Sequence, residues 1–200
     1  MTERPITMSA ESIRAIQAHL KTQTRRPVKP QPHADRPEYY ADLYNHGPEW
    51  AFWLPDGRMS EPRTWRCPYG QPGDMLRVVE SWATDRRYDD LKPRALHSEV
   101  PIFYLADGLK PDWVGRTRSA RFMLKEFSRF ILPLTIVRAE RLWTITKEGA
   151  LAEGVEILPW YHGDAIGAYE RWWDSIYSTT FPWASNPWPW VLGWEQVEAK

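Results

Sequence analysis

Apolar positions recur at helical spacing in three stretches and gather into short β-type runs in four others. "SAESIRAIQAHLKTQTRR" places Ile13, Ile16 and Leu20 on one face behind two possible caps, Ser9 and Ser12, and Pro27, Pro30 and Pro32 close it. "TKEGALAEGV" predicts a short helix, with Thr146 as N-cap and Gly154 as its stop. "DAIGAYERWWDSIY" predicts an amphipathic helix presenting Ile166, Tyr169, Trp173 and Ile176. Strands are expected after the Pro72-Gly73-Asp74 turn (Leu76, Val78, Val79), in "VPIFYLAD", in "SRFILPLTIVRAERLW" and in the closing "PWVLGWEQVE". Pro133 implies a bend or a local edge in the third of these.

Between these elements lie two polar excursions, 33–66 and 84–118. The first is Pro-rich and aromatic with no lasting period, and reads as an insertion or an ordered long loop. Strands, helices and long loops interleave without a regular βαβ rhythm. The expectation is one α+β domain over 1–200: a small mixed β-barrel with flanking short helices and two long insertions, rather than a doubly wound sheet.

Composition changes this picture in three ways. The 26 Lys and Arg balance 26 Asp and Glu, but the charges are segregated. Residues 1–30 carry 6 basic against 2 acidic residues and residues 116–147 carry 8 against 2, offset by 31–115 and 148–200. Brought together, the two basic segments form a local electropositive surface that the net charge conceals. Thirteen Trp, nine Tyr and six Phe must mostly pack the core, while a minority can stack on bases. Cys67 is the only cysteine, so neither an internal disulfide nor a cysteine-cluster zinc site is possible. No His/Asp/Glu cluster has metal-ligand spacing and no Gly-rich phosphate loop occurs, so no metal or cofactor is implied. No apolar run approaches a membrane span and the start lacks a leader's apolar centre; a soluble cytoplasmic protein is expected.

The densest chemistry lies in "LKTQTRRPVKP", 20–30, where four cations surround Thr22, Gln23 and Thr24. On a helix end, Lys21 and Thr24 share a face, and a lysine desolvated beside Arg25 and Arg26 has a depressed pKa.

Five pieces in order, "AIQAHLKTQTRR", "CPYGQPGDMLRVVESWA", "SRFILPLTIVRAERLWTIT", "ALAEGV" and "NPWPWVLGWEQV", resemble phage-borne ASCH-domain proteins of the PUA-like superfamily of small β-barrels. The resemblance covers both ends and the middle of the chain and leaves 33–66 and 84–118 as insertions. It departs from the family at "AHLK", where a glycine usually precedes the basic residue before the signature lysine. One branch of that family hydrolyses N4-acetylcytidine. By motif, the resemblance implies Lys21, Thr24 and Glu153 as the catalytic set; the competing reading is an ion pair between Lys21 and Glu153 that joins two helix ends, with Thr24 a local hydrogen-bonding residue. It also implies a nucleotide pocket to which Arg25, Arg26, Ser128 and Arg129 bring phosphate contacts, Trp82 a stacking face and Asn186 a base-edge contact. Each has a structural counterpart: a salt-bridged strand edge for the arginines, core for Trp82, a turn for Asn186. His19 reads as a surface histidine. The implied partner is a modified nucleoside or a single-stranded nucleic acid, in the host cytoplasm if phage-encoded. The alternatives are a ribonuclease using the same basic wall, and a non-catalytic RNA-binding or phage accessory module.

Overall fold

The computed structural model describes residues 1–32, 39–157 and 164–199. It is a mixed α+β fold with several sheets. The main sheet has five strands: β1 (Glu3–Thr7), β2 (Gln23–Pro27), β6 (Met75–Val79), β9 (Ile131–Ala139) and β10 (Pro189–Trp194), in the order β1-β6-β9-β10-β2. Only β1 and β6 run parallel; the other neighbours are antiparallel. β3 (Tyr40–Leu43), β4 (Glu49–Trp53) and β5 (Trp65–Arg66) form a second sheet, and β7 (Trp82–Thr84) pairs with β8 (Ile102–Tyr104). Three helices complete the frame: α1 (Ala10–Gln17), α2 (Lys147–Ala152) and α3 (Ala165–Tyr177).

The main ladder stays open between β1 and β2 among the described residues. The two edges are nonetheless linked by a side chain: Arg26, on β2, donates through Nη2 to the carbonyl of Thr7 at the end of β1, 2.5 Å away. α1, which connects those strands, sends Ile13 and Ile16 into the core between them, with Ile6, Leu76, Leu132, Trp190 and Leu192. Pro133 lies where β9 changes neighbours. Residues 131–133 pair with β6, and 134–139 pair with β10. Its missing N–H therefore falls at a local edge, as the sequence implies.

Three sequence expectations need correction. The helix read over 9–26 stops at Gln17, and 21–27 is extended. Ser9 caps α1, accepting from the Ser12 N–H at 3.2 Å. Just beyond the helix, His19 turns into the left-handed region (φ 57°), and the chain leaves it as a bridge and a strand. Leu20, counted on the apolar face, is exposed. Pairing of β2 with β10 outweighs the modest helical preference of a threonine- and glutamine-rich run.

Second, the described part of 33–66, read as an insertion or an ordered long loop, contains three strands. Its strands pack on the main core through edge-to-face ring contacts, Phe52 with Trp188 at 4.7 Å and Trp50 with Trp190 at 5.9 Å. Third, α3 buries Ala165, Tyr169 and Trp173, while Ile176 is exposed. The expected strands at β6, β8, β9 and β10 and the helix α2, capped by Thr146 and stopped by Gly154, are present. Residues 79–127 contribute a small core of their own around Trp82, Leu96, Met123 and Phe127, and α2 with α3 forms another around Tyr169 and Trp173. No helix among the described residues is long and apolar enough to cross a membrane.

Candidate functional site

Strand alternation decides what β2 presents on each side. Pairing with β10 sets Gln23 opposite Gly193 and Arg25 opposite Val191, while Thr24 lies opposite Leu192 and Arg26 opposite Trp190. Directly paired residues share a face, so Thr24 and Arg26 are on the side of the main core, and Gln23 and Arg25 on the side of α2 and α3. Lys21, just before the strand, is held by its own antiparallel bridge to Glu153. The Thr22 N–H donates to the carbonyl of Ala152 at 2.9 Å, so the C-terminal end of α2 is stitched to the entry of β2.

This places a buried charge relay where the sequence suggested a helix end. Lys21 Nζ donates to Glu153 Oε2 at 3.0 Å and to the Glu153 carbonyl at 2.6 Å, and neither side chain has any exposure. The other carboxylate oxygen, Oε1, accepts from Arg25 Nη1 at 3.1 Å. Arg25 continues to Glu140 Oε1 at 2.7 Å, and Glu140 Oε2 accepts from Arg138 at 2.8 Å. With its amide turned so that its oxygen faces the guanidinium, Gln23 accepts from Arg25 Nη1 at 2.6 Å. Burial pulls the Lys21 ammonium below its ordinary pKa, against the attraction of Glu153, and Arg26 and Arg25 add to the lowering.

Glycine makes the close approach possible. Gly154 has φ 77°, and a Cβ there would fall 2.7 Å from the Ala15 Cβ and 2.9 Å from the Lys21 Cβ. α3 covers the cluster. Lys21 Nζ lies 5.4 Å from the centre of the Trp172 ring, and the Arg25 guanidinium 5.8 Å from that of Tyr169. Tyr169 is fully buried and its hydroxyl makes no hydrogen bond among the described residues. Burial, then the nearby Glu153 carboxylate, hold that phenol well above the ordinary tyrosine pKa. Beside the cluster opens a cleft of about 510 Å³ between α1, Gly154–Glu156 and the Ala168–Trp172 face of α3; Glu153 borders it and Lys21 does not.

Thr24 is not with Lys21 in the way the helical spacing implied. Its hydroxyl is buried and without a partner among the described residues, and the hydrogen bonds of Lys21 go to Glu153. In an extended segment, residues three apart point to opposite sides, so the shared helical face does not exist. Arg26 reaches Thr7 and, at 3.5 Å, the Tyr177 hydroxyl.

The other predicted pocket residues lie elsewhere. Trp82 is wholly buried in the second core and has no face open to a base. Ser128 is buried and donates to the Val78 carbonyl at 2.7 Å. Arg129 is neutralised: it grips both oxygens of Glu80 (2.8 and 3.0 Å), pairs with Asp107 at 2.8 Å and stacks 4.1 Å from the Tyr104 ring centre. Asn186 shapes a turn, in the left-handed region (φ 45°) with its side-chain oxygen on the Trp143 N–H. These four therefore have structural partners of their own, outside the Lys21 cluster.

Sequence reasoning missed Glu140, Gln23 and Trp172. Glu140, two residues from Arg138 at the end of β9, carried no signal, since its role depends on β10 bringing β9 and β2 to either side of itself. Tyr169 was legible only as an apolar-face residue. No group of three His, Cys, Asp or Glu suited to a metal ion occurs among the described residues. Comparison with known proteins returns no matching family model, no matching curated protein and no matching solved structure.

Proposed function

We propose that this chain is an ASCH-type, PUA-like domain whose Lys21–Glu153–Arg25 cluster is the floor of a nucleoside pocket. Its most concrete activity is removal of an acyl group from N4 of a modified cytosine nucleoside. The observation that carries the reading is the meeting of Lys21 and Glu153: the two signature positions, 132 residues apart, converge in one buried contact, which the ion-pair reading shares. Tyr169, over Arg25, carries a buried hydroxyl with no partner among the described residues, which suits a ligand that brings its own polar atom.

In the reaction, the oxygen of a water molecule bonds to the acyl carbon, the bond from that carbon to N4 breaks, and N4 takes the proton. Glu153 accepts the water's proton and passes it to the leaving N4. Lys21, bonded to the same carboxylate, stabilises the negative oxygen that forms on the acyl carbon. Arg25 holds Glu153 in the orientation that this transfer needs. Because Trp172 and Tyr169 cover the cluster, substrate entry requires α3 to move aside at its Trp172 face.

The test is turnover of N4-acetylcytidine, its deoxy form and larger-acyl analogues by purified protein, read by absorbance. Lys21→Met and Glu153→Gln are run in parallel, with circular dichroism confirming that each variant is folded. Turnover abolished in both folded variants is the expected result. A folded wild-type protein without turnover on any of these substrates overturns the reading and leaves Lys21–Glu153 as a structural ion pair.

A further inference from the structure

A second cleft, of about 770 Å³, lies over the small core around Trp82 and shares no residue with the Lys21 cluster or its cleft. Five cations line it, Lys92, Arg94, Arg116, Arg118 and Arg121, and no acidic residue does. Lys92, Arg94, Arg116 and Arg121 are exposed, and among the described residues none of them makes an ion pair. Arg25, Arg129 and Arg138, outside the groove, are each paired with a carboxylate.

We infer that this groove binds the backbone of a single-stranded nucleic acid, with phosphates on the exposed arginines and a base stacked on Phe122. Arg118 is the fixed part of the site. It is buried, its guanidinium donates to the carbonyls of Tyr88 (2.6 Å) and Leu91 (2.9 Å), and it lies 5.5 Å from the Trp82 ring centre. Those acceptors are neutral, so its charge stays uncompensated by contact, and its Nε–H is buried without a partner among the described residues. Asp89, the carboxylate that Arg118 faces from outside the groove walls, is occupied with the Arg116 N–H at 2.8 Å. A concave surface of one charge sign over a rigid apolar base focuses its field outward and raises the local concentration of a polyanion. Arginine forks match phosphate oxygens in pairs.

Phe122 favours a nucleic-acid strand over an acidic peptide. Its ring is half exposed, and the Arg121 guanidinium sits 4.6 Å from its centre. An exposed aromatic face beside a basic wall is what an unpaired base stacks on, and carboxylates have no use for it. A duplex hides its base faces, so the strand is single. The groove is made by folding: Lys92 and Arg94 come from the excursion over 84–118, and Arg121 from the basic segment over 116–147. The inference is independent of the activity proposed for Lys21.

The experiment is fluorescence anisotropy with labelled oligo(dT) and oligo(U) of about 12 nucleotides, within the span of strand-binding grooves, between about 50 and about 200 mM salt. Arg94→Gln/Arg116→Gln/Arg121→Gln is compared with wild type, with Phe122→Ala, and with Arg66→Gln, an exposed arginine on β5. The triple variant is expected to bind at least about tenfold more weakly, and its salt slope to fall by about 2, at roughly 0.7 for each phosphate that a single strand no longer has neutralised. Phe122→Ala is expected to bind about tenfold more weakly through missing stacking; Arg66→Gln is expected to match wild type. No binding by wild type at low salt, or binding that the triple variant retains, overturns the inference. Displacement by poly-glutamate as effective as by unlabelled oligonucleotide also overturns it, and assigns the groove to an acidic protein segment.

Discussion

Lys21 and Glu153 are joined twice, by a backbone bridge and by a 3.0 Å ion pair with no solvent exposure on either side. The pair is therefore both a fold element, fastening α2 to the edge strand β2, and the centre of the candidate site. Removing either charge leaves the other buried. Lys21→Ala leaves Glu153 with Arg25 as its one cationic partner and is expected to destabilise the protein by about 3–5 kcal/mol in urea unfolding. The double variant Lys21→Met/Glu153→Met is expected to recover part of that loss, because apolar replacement of a whole buried pair is often neutral. Additive single losses in the cycle would show that the pair is not coupled.

Tyr169 separates stability from function. Its hydroxyl is buried and unbonded among the described residues, a burden on the order of 1–3 kcal/mol. Tyr169→Phe keeps the ring over Arg25 and is expected to raise the urea midpoint, with a gain of about 1 kcal/mol. If the hydroxyl serves a ligand, the same variant loses nucleoside binding or turnover while gaining stability. A Tyr169→Phe protein less stable than wild type would mean that the hydroxyl has a partner in the folded state.

The two groups also predict a pH dependence with opposing signs. Lys21, depressed in the fold by burial, releases its proton there before the unfolded chain does at its ordinary 10.5. Below 10.5 the unfolded state thus binds more protons, and stability contributed by this group rises with pH up to that value. Tyr169 is raised by burial, so the unfolded chain loses its proton first, near 10.0, and stability from this group falls as pH rises beyond that. Stability measured from about pH 8 to about pH 11, at about half-unit steps, is expected to lose its rising part in Lys21→Met. Tyr169→Phe is expected to lose the falling part at the alkaline end. Identical profiles for wild type and both variants would refute this account.

Gly154 is expected to tolerate no side chain. An alanine there has to adopt φ 77° and meets Cβ atoms of Ala15 and Lys21 inside van der Waals distance. The left-handed backbone costs about 1–2 kcal/mol and overpacking about 1–3 more. Thermal unfolding of Gly154→Ala, compared with Gly57→Ala as a positive-φ glycine in open space, separates the two effects. Equal losses at both sites would show that backbone strain alone is at work.

Trp82 lies in a core, the reading that competes with its stacking on a base. Trp82→Ala is expected to lose about 3–5 kcal/mol in unfolding, the cost of a large cavity. A conservative Trp82→Phe should keep whatever activity the Lys21 cluster has. Selective loss of ligand binding in folded Trp82→Phe would restore it to the site.

Local chemistry made several elements legible in the sequence. Thr146 and Gly154 bracket α2 because a threonine hydroxyl caps a helix and only glycine turns easily into the left-handed region that stops it. Pro133 marked the point where β9 changes partners, because a residue without an N–H belongs at a local edge. The motif order singled out Lys21 and Glu153, and these do meet. Segment 20–26 was misread because Ile13, Ile16 and Leu20 share helical spacing while nothing local reveals that β10 stands ready to pair with 23–27. Only tertiary structure put Thr24 and Arg25 on opposite sides of one strand, buried Trp82, engaged Arg129 with Glu80, and completed the ion chain with Glu140. Caps, turns and proline act over a few residues and are written in the chain. Charge pairing and burial depend on which distant strands and helices close around a residue, and no short stretch of sequence specifies that.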